Sequence, residues 1–197
     1  MKKCVIRFVL MLLMITMASA TMKAADWNAF DLRGKVKSVT YYNRSSPFMW
    51  PYNEMVRTYS FNSAGIVNAP KDVRVIRNQS GVAINFKYYL LDWDYWFDQA
   101  LTYDSNGRLV GVDFDGVDGG SSKELHYDEN GRVYMEIVNG SAEGDDYKIV
   151  IYFKYVSFDS KGNWIKRVRK STTSYPGGGY PTETTTSTET RQIVYYQ

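Results

Sequence analysis

The side chains best suited to chemistry in this chain are aromatic and carboxylic, and they cluster. Trp93-Asp94-Tyr95-Trp96-Phe97 follows closely on Tyr88 and Tyr89, with Asp92, Asp94 and Asp98 interleaved and Trp50 further upstream. Flat rings beside acids suit carbohydrate binding, because sugar C–H faces pack on rings while carboxylates and amides take the hydroxyls. Trp93, Tyr95, Trp96 and Trp50 are therefore the candidate ligand-binding residues. A plainer reading places the same rings in the core or in cross-strand pairs, where the alternate aromatics of a strand commonly lie.

Other chemistries are thinly supplied. His126 is the single histidine, lies between Leu125 and Tyr127 in a strand-like stretch, and reads as a half-exposed strand residue. The single cysteine, Cys4, sits near the N-terminus, so a His-based nucleophile and a zinc site both lack partners. Asp113-Phe114-Asp115-Gly116-Val117-Asp118-Gly119-Gly120 comes nearest to a calcium loop, but its third acid is one place late and the distant Glu is missing. A strand end entering an Asp-Gly turn is the preferred reading. Acid pairs for glycoside hydrolysis can be drawn from Asp92, Asp94, Asp113 and Glu136, as they can in any Asp-bearing β protein. The sequence holds no Gly-rich stretch that follows a strand and opens a helix, as phosphate binding requires, and Gly177 to Gly179 reads as a turn. The chain is expected to be a non-enzyme, with no cofactor and no catalytic or metal-binding residue.

What must position the rings is written in a repeat: an aromatic, Asp or Asn, two variable residues, Gly, one more residue, then an aliphatic or aromatic. It occurs as Phe61-Asn62-Ser63-Ala64-Gly65, Tyr103-Asp104-Ser105-Asn106-Gly107, Tyr127-Asp128-Glu129-Asn130-Gly131 and Phe158-Asp159-Ser160-Lys161-Gly162. Arg77-Asn78-Gln79-Ser80-Gly81 is a degraded copy. The Asp side chain accepts from backbone N–H groups ahead of it and the Gly supplies positive φ, which together make a hairpin tip. The intervals between copies leave room for about two strands each, and their irregularity argues against a strict solenoid.

The two closest copies, at Tyr103 to Leu109 and Tyr127 to Val133, resemble the core of the YD repeats found in RHS-type secreted bacterial proteins. The layout also resembles small secreted bacterial β-repeat proteins of no assigned activity. The shared features are a Leu-x-Gly-x-Val-Lys opening at Leu32 to Lys37, a Gly-Asn-Trp-Ile at Gly162 to Ile165, and a closing Arg-x-Ile-x-Tyr at Arg191 to Tyr195. Large RHS proteins use dozens of repeats to wall off a toxin domain. So few copies cannot enclose a toxin, and that role does not carry over.

Residues 1–20 have the parts of a cleaved secretory signal: basic Lys2, Lys3 and Arg7, an apolar run from Phe8 to Met17 too short to span a bilayer, and Ala18-Ser19-Ala20 before the cut. Removing it takes the formal charge from +3 to zero, so the basic balance belongs to the signal and nucleic acid is not an expected partner. It also removes Cys4, so mature disulfides are impossible and burial must supply the stability. The mature chain is expected outside the cytoplasm, in the periplasm or beyond the cell, without a membrane span.

After a lead-in at residues 21–30, residues 31–197 are expected to form a single all-β domain, an antiparallel meander of repeated hairpins in a strongly twisted, partly rolled sheet. No helix longer than about two turns is expected after Phe30. Ile149-Val150-Ile151-Tyr152-Phe153, apolar on both faces, suits a central or doubly covered strand. The Thr-, Gly- and Pro-rich stretch at residues 171–190 is expected to be a long terminal hairpin, because Thr favours strands and Ile193 to Tyr196 needs a pairing partner. The function implied is an interaction or scaffold module at the cell envelope, with a protein or a surface polysaccharide as partner. A carbohydrate-binding module built on the aromatic cluster and an unrecognised hydrolase are the alternatives.

Overall fold

The computed structural model describes residues 25–43, 56–91, 94–116, 119–142 and 144–197. The expected signal and Trp50, Asp92, Trp93 and Asp118 lie outside the described residues. A turn of 3-10 helix at Asp26–Asn28 precedes eleven strands: β1 (Val36–Tyr41), β2 (Arg57–Ser60), β3 (Val73–Arg77), β4 (Ala83–Leu90), β5 (Tyr95–Tyr103), β6 (Leu109–Gly116), β7 (Gly119–Tyr127), β8 (Val133–Ala142), β9 (Asp145–Phe158), β10 (Trp164–Ser174) and β11 (Glu183–Tyr195). Every neighbouring pair is antiparallel, in the order β2-β1-β11-β10-β9-β8-β7-β6-β5-β4-β3. Strands β3 to β11 are thus one meander, and the chain's first two strands extend it past β11.

The turn motif explains the meander. In all five copies the Asp or Asn Oδ1 accepts the N–H groups two and four residues on at 2.9–3.0 Å. The copy at Asn78 is geometrically complete: its amide oxygen does what a carboxylate does elsewhere, and only its leading aromatic is lost. In a meander, alternate turns share an end of the sheet, and these five all fall at the same one. Tyrosines tie each of the last three motifs to the one before. Tyr103, Tyr127 and Tyr155 donate their hydroxyls to the carbonyls of Ala83, Leu109 and Val133, in each case two residues after a turn glycine. The third tie comes from Tyr155 because Phe158, before Asp159, has no hydroxyl.

Among the described residues β2 and β3 do not pair, so the sheet curls without closing into a barrel. The N-terminal residues finish the job. Asp26 accepts from Val67 N–H at 2.8 Å, just beyond β2, and from the Arg77 guanidinium at the end of β3. Asn28 Nδ2 reaches the Gly107 carbonyl at 3.5 Å, Arg33 Nη2 the Asn130 carbonyl at 3.3 Å, and Arg33 N–H the Asn163 Oδ1 at 2.7 Å. Residues 26–33 therefore run as a strap across the turn end, meeting the motif copies in chain order. Phe30, fully buried, drops from the strap between Tyr59 and Phe61 on one side and Phe86 on the other, with ring centroids 4.8, 5.1 and 6.3 Å away. A Phe so enclosed is worth about 3–5 kcal/mol against Ala.

The expected lead-in is thus part of the packed core: Asp26, Ala29 and Phe30 are all buried. A short polar segment with two aromatics carries no strand signal, and its burial depends on the curl around it. Of the two settings expected for β9, central or doubly covered, the structure has the first. Ile151 is buried, whereas Tyr152 is 52% exposed and Val156 likewise, so β9 is central with one wet face. The terminal hairpin is present, Lys166 to Thr173 on β10 pairing with Thr190 to Glu183 on β11, and residues 183–188 at its far end are exposed.

Candidate ligand-binding groove

Of the rings proposed as a sugar platform, the two among the described residues, Tyr95 and Trp96, lie on opposite faces of β5. Tyr95 and Phe97 point to the inner face, Tyr95 packing edge-on to Phe97 with centroids 5.2 Å apart, and Phe97 stacking on Tyr88 and Phe114. Trp96 points outward, as alternation demands. There it pairs with Tyr89 across the β4–β5 ladder at 5.3 Å, and the Arg74 guanidinium lies 4.1 Å over its ring. Trp93 and Trp50 fall outside the described residues. Of the acids weighed for hydrolysis, Asp113 is exposed on the outer side of β6 while Glu136 faces inward, so the sheet stands between them. Asp94 caps the β4–β5 end, where Tyr89 donates to it. Among the described residues no three His, Cys, Asp or Glu side chains form a metal-sized cluster.

The concave face of the curl holds a groove of about 230 Å³. Its floor is the strap at Ala29 to Asp31 and its walls are the inner faces of β6 to β11 and of β1. Ladder register lays the wall out in rows. Lys123, Val138 and Ile149 stand abreast on β7, β8 and β9; Leu125, Glu136, Ile151 and Ser171 form the next row toward the strap. Phe153 beside Arg169, then Tyr155 beside Arg167, continue it on β9 and β10. Leu109, Tyr41 and Trp164 lie deepest, against the strap.

The charges are ordered by depth. Arg191, at 4% exposure, donates to the carbonyls of Trp164, Asp31 and Phe30 at 2.7, 3.0 and 3.3 Å and stacks 4.1 Å over the Trp164 ring, so it fastens β11 and β10 to the strap. Trp164 Nε1 donates to the Asp31 carboxylate at 3.1 Å. Burial pushes the Asp31 carboxyl above its ordinary value, against the pull of Arg191 and Arg167. Arg167, also buried, donates to Glu189 at 2.6 Å and lies between the Phe153 and Trp164 rings at 3.7 and 4.2 Å. Burial alone would lower its pKa, but Glu189, Glu136 and Tyr155 together raise it, so it stays charged. Nearer the open end, contacts loosen: Arg169 stands 3.8 Å from Glu189 and Lys123 3.9 Å from Glu136, with side chains 28% and 25% exposed.

Three segments singled out in the sequence, at Leu32, Gly162 and Arg191, converge on the groove's floor. Asn163 exchanges hydrogen bonds with the Arg33 backbone and donates to Tyr195, while Trp164 and Arg191 hold Asp31. The Leu32, Gly162 and Arg191 segments are therefore one latch. Sequence reasoning missed the groove because it assumes that polar residues on alternating strands face water. On β10, Arg167 and Arg169 face inward while Val168 between them faces out. The inward charges could have been suspected from the matching acid, since Glu189 is the residue directly paired with Arg167 in the terminal hairpin.

No known family model matches this chain, and no curated protein matches it.

Proposed function

We propose that the protein is an exported, non-catalytic binding module of the cell envelope, and that it binds through the groove inside the curl. The observation that carries this reading is the groove itself, a concave site with apolar walls and a few convergent charges, floored by a cross-linked strap. Such sites are where small ligands are held in β proteins. Two of its three acids face cations, Glu189 facing Arg167 and Glu136 facing Lys123, and the third, Asp31, is held by the Trp164 indole, which supports binding over general acid–base work. The signal-like residues 1–20 support export, and the repeated turns support kinship with the YD-repeat proteins.

The carbohydrate alternative places the ligand on the outer face at Trp96. Arg74 already covers one face of that ring, which favours the groove.

The two readings separate in a fragment screen followed by backbone amide shifts. Binding in the groove moves the amides of Ile149, Ile151 and Arg169 on its wall. Shifts confined to Tyr89 and Trp96 would move the site to the outer face, and a screen of apolar, acidic and saccharide fragments that shifts neither set would remove the proposal.

A further inference from the structure

We infer that the groove's ligand is a small monoanion, a single carboxylate on a compact apolar body. This rests on the groove as the binding site and adds what it selects.

The size is set by the space. A cavity of about 150 Å³ lined by aliphatic and aromatic side chains holds benzene. The present groove, at about 230 Å³, has room for a ring or short chain with a polar head, on the order of eight to ten heavy atoms by the same scale. The body is set by the wall, since Leu125, Val138, Ile149, Ile151 and Phe153 present apolar surface across three strands, broken on β8 by Glu136.

The head is set by charge. Four basic side chains line the groove, Lys123, Arg167, Arg169 and Arg191, against three acidic ones, Asp31, Glu136 and Glu189. Arg191 is spent on carbonyls and Arg167 on Glu189. Lys123 and Arg169 are left with acid contacts near 3.9 and 3.8 Å, too long for a hydrogen bond, and with solvent access. Either can take a carboxylate oxygen with full charge assistance. A second negative charge would meet Glu136 and Glu189 directly, so a dianion is disfavoured, and a lone ammonium head would face Lys123 and Arg169.

The test is calorimetric titration of the signal-free chain with octanoate and phenylacetate, each beside its neutral amide, octanamide and phenylacetamide. The carboxylates should bind at least about tenfold more tightly than the amides, the worth of one charge-assisted contact. The double variant Lys123→Gln with Arg169→Gln should erase that preference while Trp96→Ala keeps it. Equal affinity for acid and amide overturns the inference and leaves the groove reading standing. Failure of all four compounds, together with unmoved groove amides, removes both. If the double variant melts far below the parent, the acid-to-amide ratio on the parent chain decides alone.

Discussion

Asp26 and Arg77 form a two-pronged ion pair across the gap between the edge strands, Arg77 Nη1 and Nη2 each lying 2.8 Å from a carboxylate oxygen. A barrel would close this gap with a ladder of backbone bonds. Here one carboxylate stands in for the ladder, taking Arg77 of β3 and the Val67 N–H beyond β2. Its side chain is 1% exposed, so it depends wholly on those donors.

Removing one partner strands a buried charge. Arg77→Met should destabilise by roughly 3 kcal/mol, the lower part of the range for breaking a buried pair because Arg77 keeps some solvent. The double variant with Asp26→Ala should lose less than the two single losses added together. Urea melts of the four proteins check both statements, and additive losses would mean that the pair does not act as a unit.

The turn glycines separate two costs. Gly131 has φ of +71° and nothing within 4 Å of where a Cβ would stand, so Gly131→Ala should cost only the left-handed backbone penalty, about 1 kcal/mol. Gly65 has φ of +85°, and its Cβ would lie 2.8 Å from the Trp27 ring. Gly65→Ala must therefore cost distinctly more, because the strap has to lift. Equal melting points for the two variants would contradict the place of Trp27.

How much of this was legible depends on which signal carried it. Asp104, Asp128 and Asp159 announce their turns because the chemistry is local, contained in five residues. The meander follows from such turns, and the terminal hairpin from the Thr-rich strands that Ile193 to Tyr196 needs as a partner. The strap and the groove were not legible, because they are products of curl. Phe30 is buried only when β2 and β4 approach each other, and Arg167 faces inward only when Glu189 is across from it. Tyr95 and Trp96 are adjacent in sequence and hence on opposite faces of β5, so of the aromatic cluster these two rings do not make one surface.

Alkali should find the tyrosine ties. Burial raises the Tyr155 hydroxyl from 10.0 to about 12, against the pull of Arg167 and Arg191. Burial and the bond to Asp159 raise Tyr195 to about 12 as well. A raised folded pKa means that the folded state keeps its proton where the unfolded chain has released it. The stabilisation is whole below about pH 10 and is lost as pH climbs towards about 12. Urea midpoints should therefore fall steeply across that window, and Tyr155→Phe should flatten the fall. A flat profile in the parent would contradict these burials.

Acid should find the turns. Partial burial works against the Asp159 carboxylate, yet the Tyr195 hydroxyl and the N–H groups of Asn163 and Lys161 outweigh it and hold its pKa below the ordinary value. A depressed folded pKa gives stability that is present above about pH 4 and disappears as pH falls below it. Asp159→Asn should be less stable than the parent at neutral pH and lose less on acidification, as read from urea midpoints at a series of pH values. A parallel acid profile for the two proteins would show that this carboxylate gains nothing from its charge.

The concave face of the curled sheet is an open groove, reachable from solvent, and not a filled core. Removal of residues 1–20 leaves no cysteine, since Cys4 is the only one, so single thiols report without background. The rate at which a small thiol reagent modifies Val138→Cys under native conditions, compared with Phe86→Cys in the fully buried core, tests the claim most directly. The Val138 thiol should react promptly and the Phe86 thiol only as fast as the protein unfolds. Equal protection of both would contradict the account.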